Sequence, residues 1–380
     1  MKVYLDYSAS TPVDKRVLDA MLPYFREHFG NASSIHSYGR EAKYALEQAR
    51  ENIAQVIRAQ PEEIYFTSGG TESDNWALTG YCINNKNRGN HIVTNNAEHH
   101  AVINTCKFLE AQGFEVTYLP IEPDGTLNLN ELKDAVTGRT LIVSIMHVNN
   151  EIGTVNDLKA IGKVVKEKGA VFHTDGAQSF GKVPIDVNTM NIDMLSMSSH
   201  KLYGPKGVGV LYIRKGTNIA KLMYGGGHER NRRSGTENIP AIVGFGTAAK
   251  ICKREMEKES KTLIELRTYF WDKIQENIPD VRLNGQWEQR LPGNLNVSFK
   301  DADGESVLLS LDLHGIAVSA GSACESGSIK PSHVITALKM PPEYAKSAIR
   351  FTLGRWTTRS ELDYTVSVLK DIIERVRSLK

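Results

Sequence analysis

Cysteine is scarce in this chain and never paired. Cys82, Cys106, Cys252 and Cys324 are scattered over 380 residues with no CxxC spacing. That argues against a disulfide framework and a structural zinc site, so no resident metal is expected. No apolar run approaches the ~18 residues of a membrane span, and no membrane partner is expected. The opening MKVYLDYSAS lacks the apolar stretch of a secretory signal, which makes the cytoplasm the expected location. An excess of one charge is missing too: 46 basic side chains face 44 acidic ones, a net charge of +2. This balance argues against nucleic acid as the main partner. What remains is 41% hydrophobic and 24% charged, an ordinary globular composition with room for a large core and two domains.

From about residue 15 to 250 helical and strand signals alternate. ALEQARENIAQVIRA (45–59) has helical apolar spacing. EIYFTSGG (63–70) reads as a strand entering a glycine turn. HIVTNN (91–96), LIVSIMHV (141–148), AVFHTD (170–175), IDMLSMSS (192–199) and VGVLYIR (208–214) read as buried strands. LKAIGKVVKEKG (158–169) is a helix closed by glycine. Strands separated by helices predict an α/β fold with a mostly parallel sheet covered on both faces. After residue 250 a long charged helix (roughly 245–275), LPGNLNVSFK, IAVSAGS and a final helix read as a smaller α+β domain. The expected division is 15–250 for the large domain, and 1–14 with 251–380 for the small one.

Open α/β sheets bind ligands beyond the carboxyl ends of their strands, so the residues after each strand matter most. Gly69-Gly70-Thr71-Glu72-Ser73 follows the first and opens a helix, which suits a phosphate, although a plain glycine turn reads it equally well. His99-His100 and Asn149-Asn150 stand after two others. Asp175 follows AVFHT, either as a helix N-cap or as a carboxylate for a cationic ring nitrogen. His200-Lys201 follows IDMLSMSS, flanked by Ser198 and Ser199; a lysine at a buried strand end is a Schiff-base candidate. A phosphate cradle, an Asp and such a lysine together are what pyridoxal phosphate needs. In SAGSACESGS (319–328) a single thiol, Cys324, sits among small residues that pack little and move easily.

YLDYSASTP, FTSGGTESDN, EHHAV, MHVNNEIG, HTDGAQSFGK, SSHKLYGPKG, GGGHERNRRSGTEN, SAGSACESGSIKPSHV and IRFTLGRWTT, in this order along nearly the whole chain, closely resemble the cysteine desulfurases. The likeness is greatest to those that supply iron–sulfur cluster assembly. The resemblance implies the aspartate-aminotransferase-like fold of pyridoxal phosphate enzymes (fold type I) and a homodimer. It implies that Lys201 holds pyridoxal 5′-phosphate and then removes the α-proton of L-cysteine. His99 would stack on the ring, and Asp175 would bind its nitrogen. Gln178 and Asn150 would bond the ring oxygen or substrate. Gly70, Thr71, Ser198 and His200 would hold the phosphate, and Thr236 would reach the phosphate of the partner subunit. Arg350 would clamp the substrate carboxylate, with Arg355 as the competing candidate.

Cys324 would attack the substrate sulfur, keep it as a persulfide, release alanine and carry the sulfur to an iron–sulfur scaffold or other acceptor protein, where it is also a transient cluster ligand. Lys330 and His333 would favour its thiolate. The other three cysteines are expected to be packing residues. Glu325 departs from the small or hydroxyl residue common after the cysteine, and a carboxylate there would slow attack. The chain ends soon after its last helix, where many relatives carry a docking tail, so scaffold binding is expected to be weaker or arranged differently. The rival readings are a selenocysteine lyase, another fold type I enzyme such as an aminotransferase, or a non-catalytic sulfur-relay protein.

Overall fold

The computed structural model describes residues 1–320 and 331–379. Among these residues twelve strands run in chain order: β1 (Val3–Tyr4), β2 (Ile64–Thr67), β3 (His91–Asn95), β4 (Glu115–Leu119), β5 (Thr140–Ser144), β6 (Val171–Asp175), β7 (Met194–Ser198), β8 (Gly209–Ile213), β9 (Val281–Leu283), β10 (Asn294–Phe299), β11 (Ile316–Ala317) and β12 (Ala348–Thr352). Seven form the main sheet, in the order β2-β8-β7-β6-β5-β3-β4. The pairs from β7 across to β4 are parallel, while β8 runs against both of its neighbours. This is the mostly parallel sheet expected.

Every residue of β2, β3, β5, β7 and β8 is buried, which explains why these strands are mostly apolar and carry no carboxylate, lysine or arginine. One face is covered by the helix Ser37–Ile57 and the first third of the helix Ile239–Asn277. These two helices touch closely, because a Cβ on Gly246 would stand 2.5 Å from Ala49 Cα. Trp76, Tyr81, Val102, Cys106 and Leu109 cover the other face. The helix Leu158–Glu167 stops where expected, with Gly169 at φ +75°, a backbone that side chains resist.

The strands are shorter than their apolar runs. LIVSIMHV leaves the sheet after Ser144, so that Ile145–Asn150 can cross the cavity edge. β4 was not expected; it is an edge strand with only Leu119 buried, and its alternation is too short to stand out.

A second apolar core gathers Leu295, Val297, Phe299, Ile349 and Phe351 of the sheet β12-β10-β9, the final helix Arg359–Ser378, and Val3 and Leu5 from the N-terminus. β1 pairs with β11 there. The long helix, 39 residues and therefore about 58 Å, begins in the first core and ends in the second with Phe270 and Ile274. The position expected to divide the chain, 250/251, falls inside this helix. Among the described residues no helix is long and apolar enough to cross a membrane.

Candidate active site

A cavity of about 300 Å³ opens at the carboxyl ends of the main-sheet strands. Gly70, Thr71, His99, Asn150, Asp175, Gln178, Ser198, His200, Lys201 and Arg350 all line it. Chain connectivity explains how distant positions meet there. Asp175 closes β6, Ser198 closes β7, and a single 3₁₀ turn, Ser199–Lys201, then brings the lysine to the rim. β2 ends at Thr67, three residues before Gly70 opens a helix that no side chain caps. Arg350 comes from β12 of the other sheet.

Lys201 Nζ donates to the carbonyl oxygens of Ser8 (2.6 Å) and Ala9 (2.8 Å). Burial, helped by the charges of Lys182 and Arg350, pushes its amine down to about 8. His99 N-caps the helix His100–Ala111, its Nδ1 accepting from Ala101 N at 3.1 Å. The hydrogen of the neutral ring is therefore on Nε2. Burial holds this imidazole below its ordinary value, as do the neighbouring Lys201, His100 and His333, against the pull of Asp175. Burial also brings His200 down to about 4.

Asp175 accepts from Ala177 N at 2.8 Å, closing a turn and capping no helix. Buried Asp74 sits beside it in the cavity wall, and burial and the Asp175 charge raise its carboxyl well above the usual range. Behind them His173, brought down to about 3 by burial, bonds Ser196 (3.1 Å) and Ser144 (2.8 Å).

Arg350 is buried and pairs with Asp6 at 2.8 Å, while its Nη1 donates to Asn150 O at 2.9 Å. The competing Arg355 lies outside this cavity. It is engaged by Asp14 and Glu259 and stacks 4.2 Å from the Tyr203 ring centroid. Thr236 is exposed and does not line its own chain's cavity. Cys324, Glu325 and Lys330 lie outside the described residues. On the chain before them, Ser319 pairs backbone to backbone with Arg350. On the chain after them, Ser332 Oγ donates to Glu151 at 2.6 Å, and His333 joins the cavity wall. Cys82, Cys106 and Cys252 are buried; burial pushes the last two thiols up to about 12, as suits packing residues.

The residues fit pyridoxal phosphate. Two buried amide oxygens, Asn150 Oδ1 and Gln178 Oε1, have no hydrogen-bond partner among the described residues. An unpaired buried acceptor costs about 1–3 kcal/mol, so a cavity edged by two of them is built to be completed by a bound molecule. A depression beside the cavity is lined by Thr71, Ser198, His200 and Lys206, residues whose side chains can donate to phosphate, together with Glu72, whose carboxylate is taken up by Arg233 at 2.8 Å. Sequence reasoning missed Lys206, Asp74, and the Ser8 and Ala9 carbonyls. SSHKLYGPKG and YLDYSASTP contained three of these four without revealing which atoms would turn inward.

Residues 3–365 match the aminotransferase class-V family. The chain is 51% identical to a protein named cysteine desulfurase IscS from Dictyoglomus turgidum, over all of this chain and 96% of that one. It is 49% identical to a protein of the same name from Methanosarcina thermophila, over 99% and 93% of the two chains. Among solved structures, a NifS-like protein superposes with a TM-score of 0.93 at 37% identity, covering 99% of this chain and all of the other. SspA in complex with cysteine superposes with a TM-score of 0.84 at 39% identity, covering 94% and 100%.

Proposed function

The chain belongs to the aminotransferase class-V family and is one of its cysteine desulfurases; we propose that it takes the sulfur of L-cysteine, releases L-alanine and supplies that sulfur for iron–sulfur cluster assembly. Its cofactor is pyridoxal 5′-phosphate, which when bound draws electrons away from the substrate's α carbon. Lys201 Nζ would anchor the cofactor and then take the α-proton, a task suited to an amine brought near neutrality by burial. Asp175 would pair with the ring nitrogen, and neutral His99 would pack on the ring with Nε2–H available as a proton donor. Asn150 and Gln178 would complete their open hydrogen bonds on the ring oxygen or substrate. Gly70, Thr71, Ser198 and His200 would hold the phosphate, joined by Lys206. Arg350 would receive the substrate carboxylate in exchange for part of its pairing with Asp6. Cys324 would accept the sulfur as a persulfide; the chain on either side of its segment meets the cavity wall at Ser319 and Ser332.

Further parts of the reading concern assembly and place. A homodimer is supported by the apolar side chains Leu18, Leu22, Phe25, Phe29, Ile35 and Tyr38, all exposed within residues 18–38, with the Phe29 and Tyr38 rings in contact. Ile35 is 92% exposed, which a free surface would rarely tolerate beside so many others. In such a dimer Thr236 would serve the partner's phosphate. The division into a large domain at 15–250 and a small one at 1–14 with 251–380 is supported by two main cores, with a smaller cluster of Ala97, Ile121 and Ile152 against Val334, Ile335 and Leu338 joining them. A cluster scaffold as acceptor and a cytoplasmic location complete the proposal.

The observation that carries the function is the meeting of Lys201, Asp175 and Arg350 around one cavity. Incubation of the cofactor-loaded protein with L-cysteine and a reductant should yield L-alanine and sulfide in equal amounts. Conversion of L-cysteine to 3-mercaptopyruvate only when a keto acid is supplied, with that keto acid aminated and no sulfide released, would instead indicate an aminotransferase.

A further inference from the structure

His333 is a buried acceptor in search of a donor. Its Nε2 is 2.8 Å from the Glu98 carbonyl oxygen, which can only accept, so Nε2 carries the hydrogen of the neutral ring. Nδ1 is then a bare lone pair. It is shielded from solvent and has no hydrogen-bond partner among the described residues. The ring cannot easily turn to find one. It packs against His100 with centroids 4.6 Å apart, and the preceding Ser332 is fixed both by Glu151 and by capping Ile335 N. The same ring lines the cavity that holds Lys201 and Arg350.

L-cysteine brings three polar groups into this cavity. The carboxylate has Arg350, and the amine has the anchoring site at Lys201. The sulfhydryl is the one remaining donor. We propose that His333 Nδ1 accepts the hydrogen bond of the substrate's S–H, making His333 a specificity residue that recognises and orients the sulfur. The inference rests on the desulfurase reading and gives that site its means of preferring cysteine over its own product, since L-alanine fills the same contacts except this one.

The test uses full-length protein carrying Cys324→Ala, which halts turnover, loaded with pyridoxal phosphate and titrated at equilibrium by the cofactor's absorption. His333→Phe should weaken L-cysteine about fivefold, the loss of one modest hydrogen bond, and leave L-alanine within about twofold. His333→Gln should recover most of the loss, because its amide can both donate to Glu98 O and accept. Equal weakening of both ligands, or unchanged cysteine binding, overturns the assignment. If the protein with intact His333 shows no spectral response to cysteine, the desulfurase reading itself fails and takes this inference with it.

Discussion

The amine of Lys201 stands 2.6 Å from the carbonyl oxygen of Ser8, and that one oxygen also accepts from Gln178 Nε2 at 2.9 Å. Ser8 N in turn donates to Thr352 Oγ1 at 2.9 Å, tying this junction to β12. Two carbonyls favour the ammonium, yet burial and the cations Lys182 and Arg350 bring it down to about 8. Only the neutral amine can add to an aldehyde. Capture of pyridoxal phosphate by apo-protein should therefore accelerate with pH through a midpoint near 8, well below the ~10.4 of a free lysine. Stopped-flow absorbance reads this directly, and a rate still climbing at pH 10 would refute it. The stability sign follows. A lysine whose folded value is depressed costs stability below about 8, and the cost fades as pH rises toward ~10.4. The stability advantage of apo Lys201→Met over its parent should narrow across that range in urea titrations.

Removing the acceptor thiol should separate binding from sulfur transfer. Cys324→Ala is expected to keep the cofactor's visible absorption while losing alanine formation by about 10²-fold or more. Mapping of labelled persulfide should find the mark on the peptide containing residue 324 in the parent and nowhere in the variant. Alanine formed at the parent rate by Cys324→Ala would remove this residue from the reaction.

How far the sequence reaches can be judged from particular residues. The strands β2, β3 and β5–β8 announce themselves because burial on both faces demands short, mostly apolar runs with few charges. Asp175, Lys201 and Gly70 are legible because a parallel sheet sends the residues after its strands to one edge. His99 and Asn150 are marked by their place after strands, but their roles, like those of Gln178 and Arg350, come only from family likeness. Asp74 and the Ser8 carbonyl stayed hidden for another reason. Asp74 lies on a helix, where its inward direction depends on tertiary packing, and a backbone carbonyl carries no sequence signal at all. Arg350 and Arg355 could not be told apart until the structure put one in the cavity and gave the other to Asp14 and Glu259.

Arg350 offers a geometric test of substrate binding. Its planar guanidinium already divides itself between Asp6 Oδ1 and Asn150 O. Lysine carries the charge without the fork. Arg350→Lys should raise KM for L-cysteine by about 10-fold or more with a smaller fall in kcat. Steady-state kinetics check this, and a KM unchanged in Arg350→Lys would mean that another group holds the carboxylate.

Glu229 makes a prediction about stability. Glu229, Arg230 and Asn231 all have positive φ, 44°, 53° and 62°, a conformation that side chains resist. The buried Glu229 carboxylate holds this turn down by accepting two bonds from Arg50, each 2.9 Å, and one from Phe66 N at 2.8 Å. Glu229→Ala leaves the Phe66 amide unpaired and strips the buried Arg50 of its bidentate partner, with the half-exposed Glu47 at 3.2 Å left to compensate its charge. A loss of about 3–5 kcal/mol is expected in equilibrium unfolding. A loss below about 1 kcal/mol would show that the turn does not depend on this clamp.

Two neighbouring glycines should respond in opposite ways. Gly209 opens β8 against the turn that leads to Gly70; a Cβ there would stand 2.6 Å from Gly69 Cα and 2.8 Å from Met197 O. Neither neighbour is the yielding end of a side chain, so Gly209→Ala must displace the backbone beside the phosphate depression. Gly69, by contrast, has open space around its Cβ position and an extended backbone that any residue adopts. Gly209→Ala should weaken pyridoxal phosphate binding by about 10-fold, while Gly69→Ala changes it little. Helical content should stay constant in both, because the displaced backbone belongs to a strand end and the turn after β2. Equilibrium dialysis of the cofactor distinguishes the two variants, and equal affinities would mean that the Gly69 turn does not shape the phosphate site.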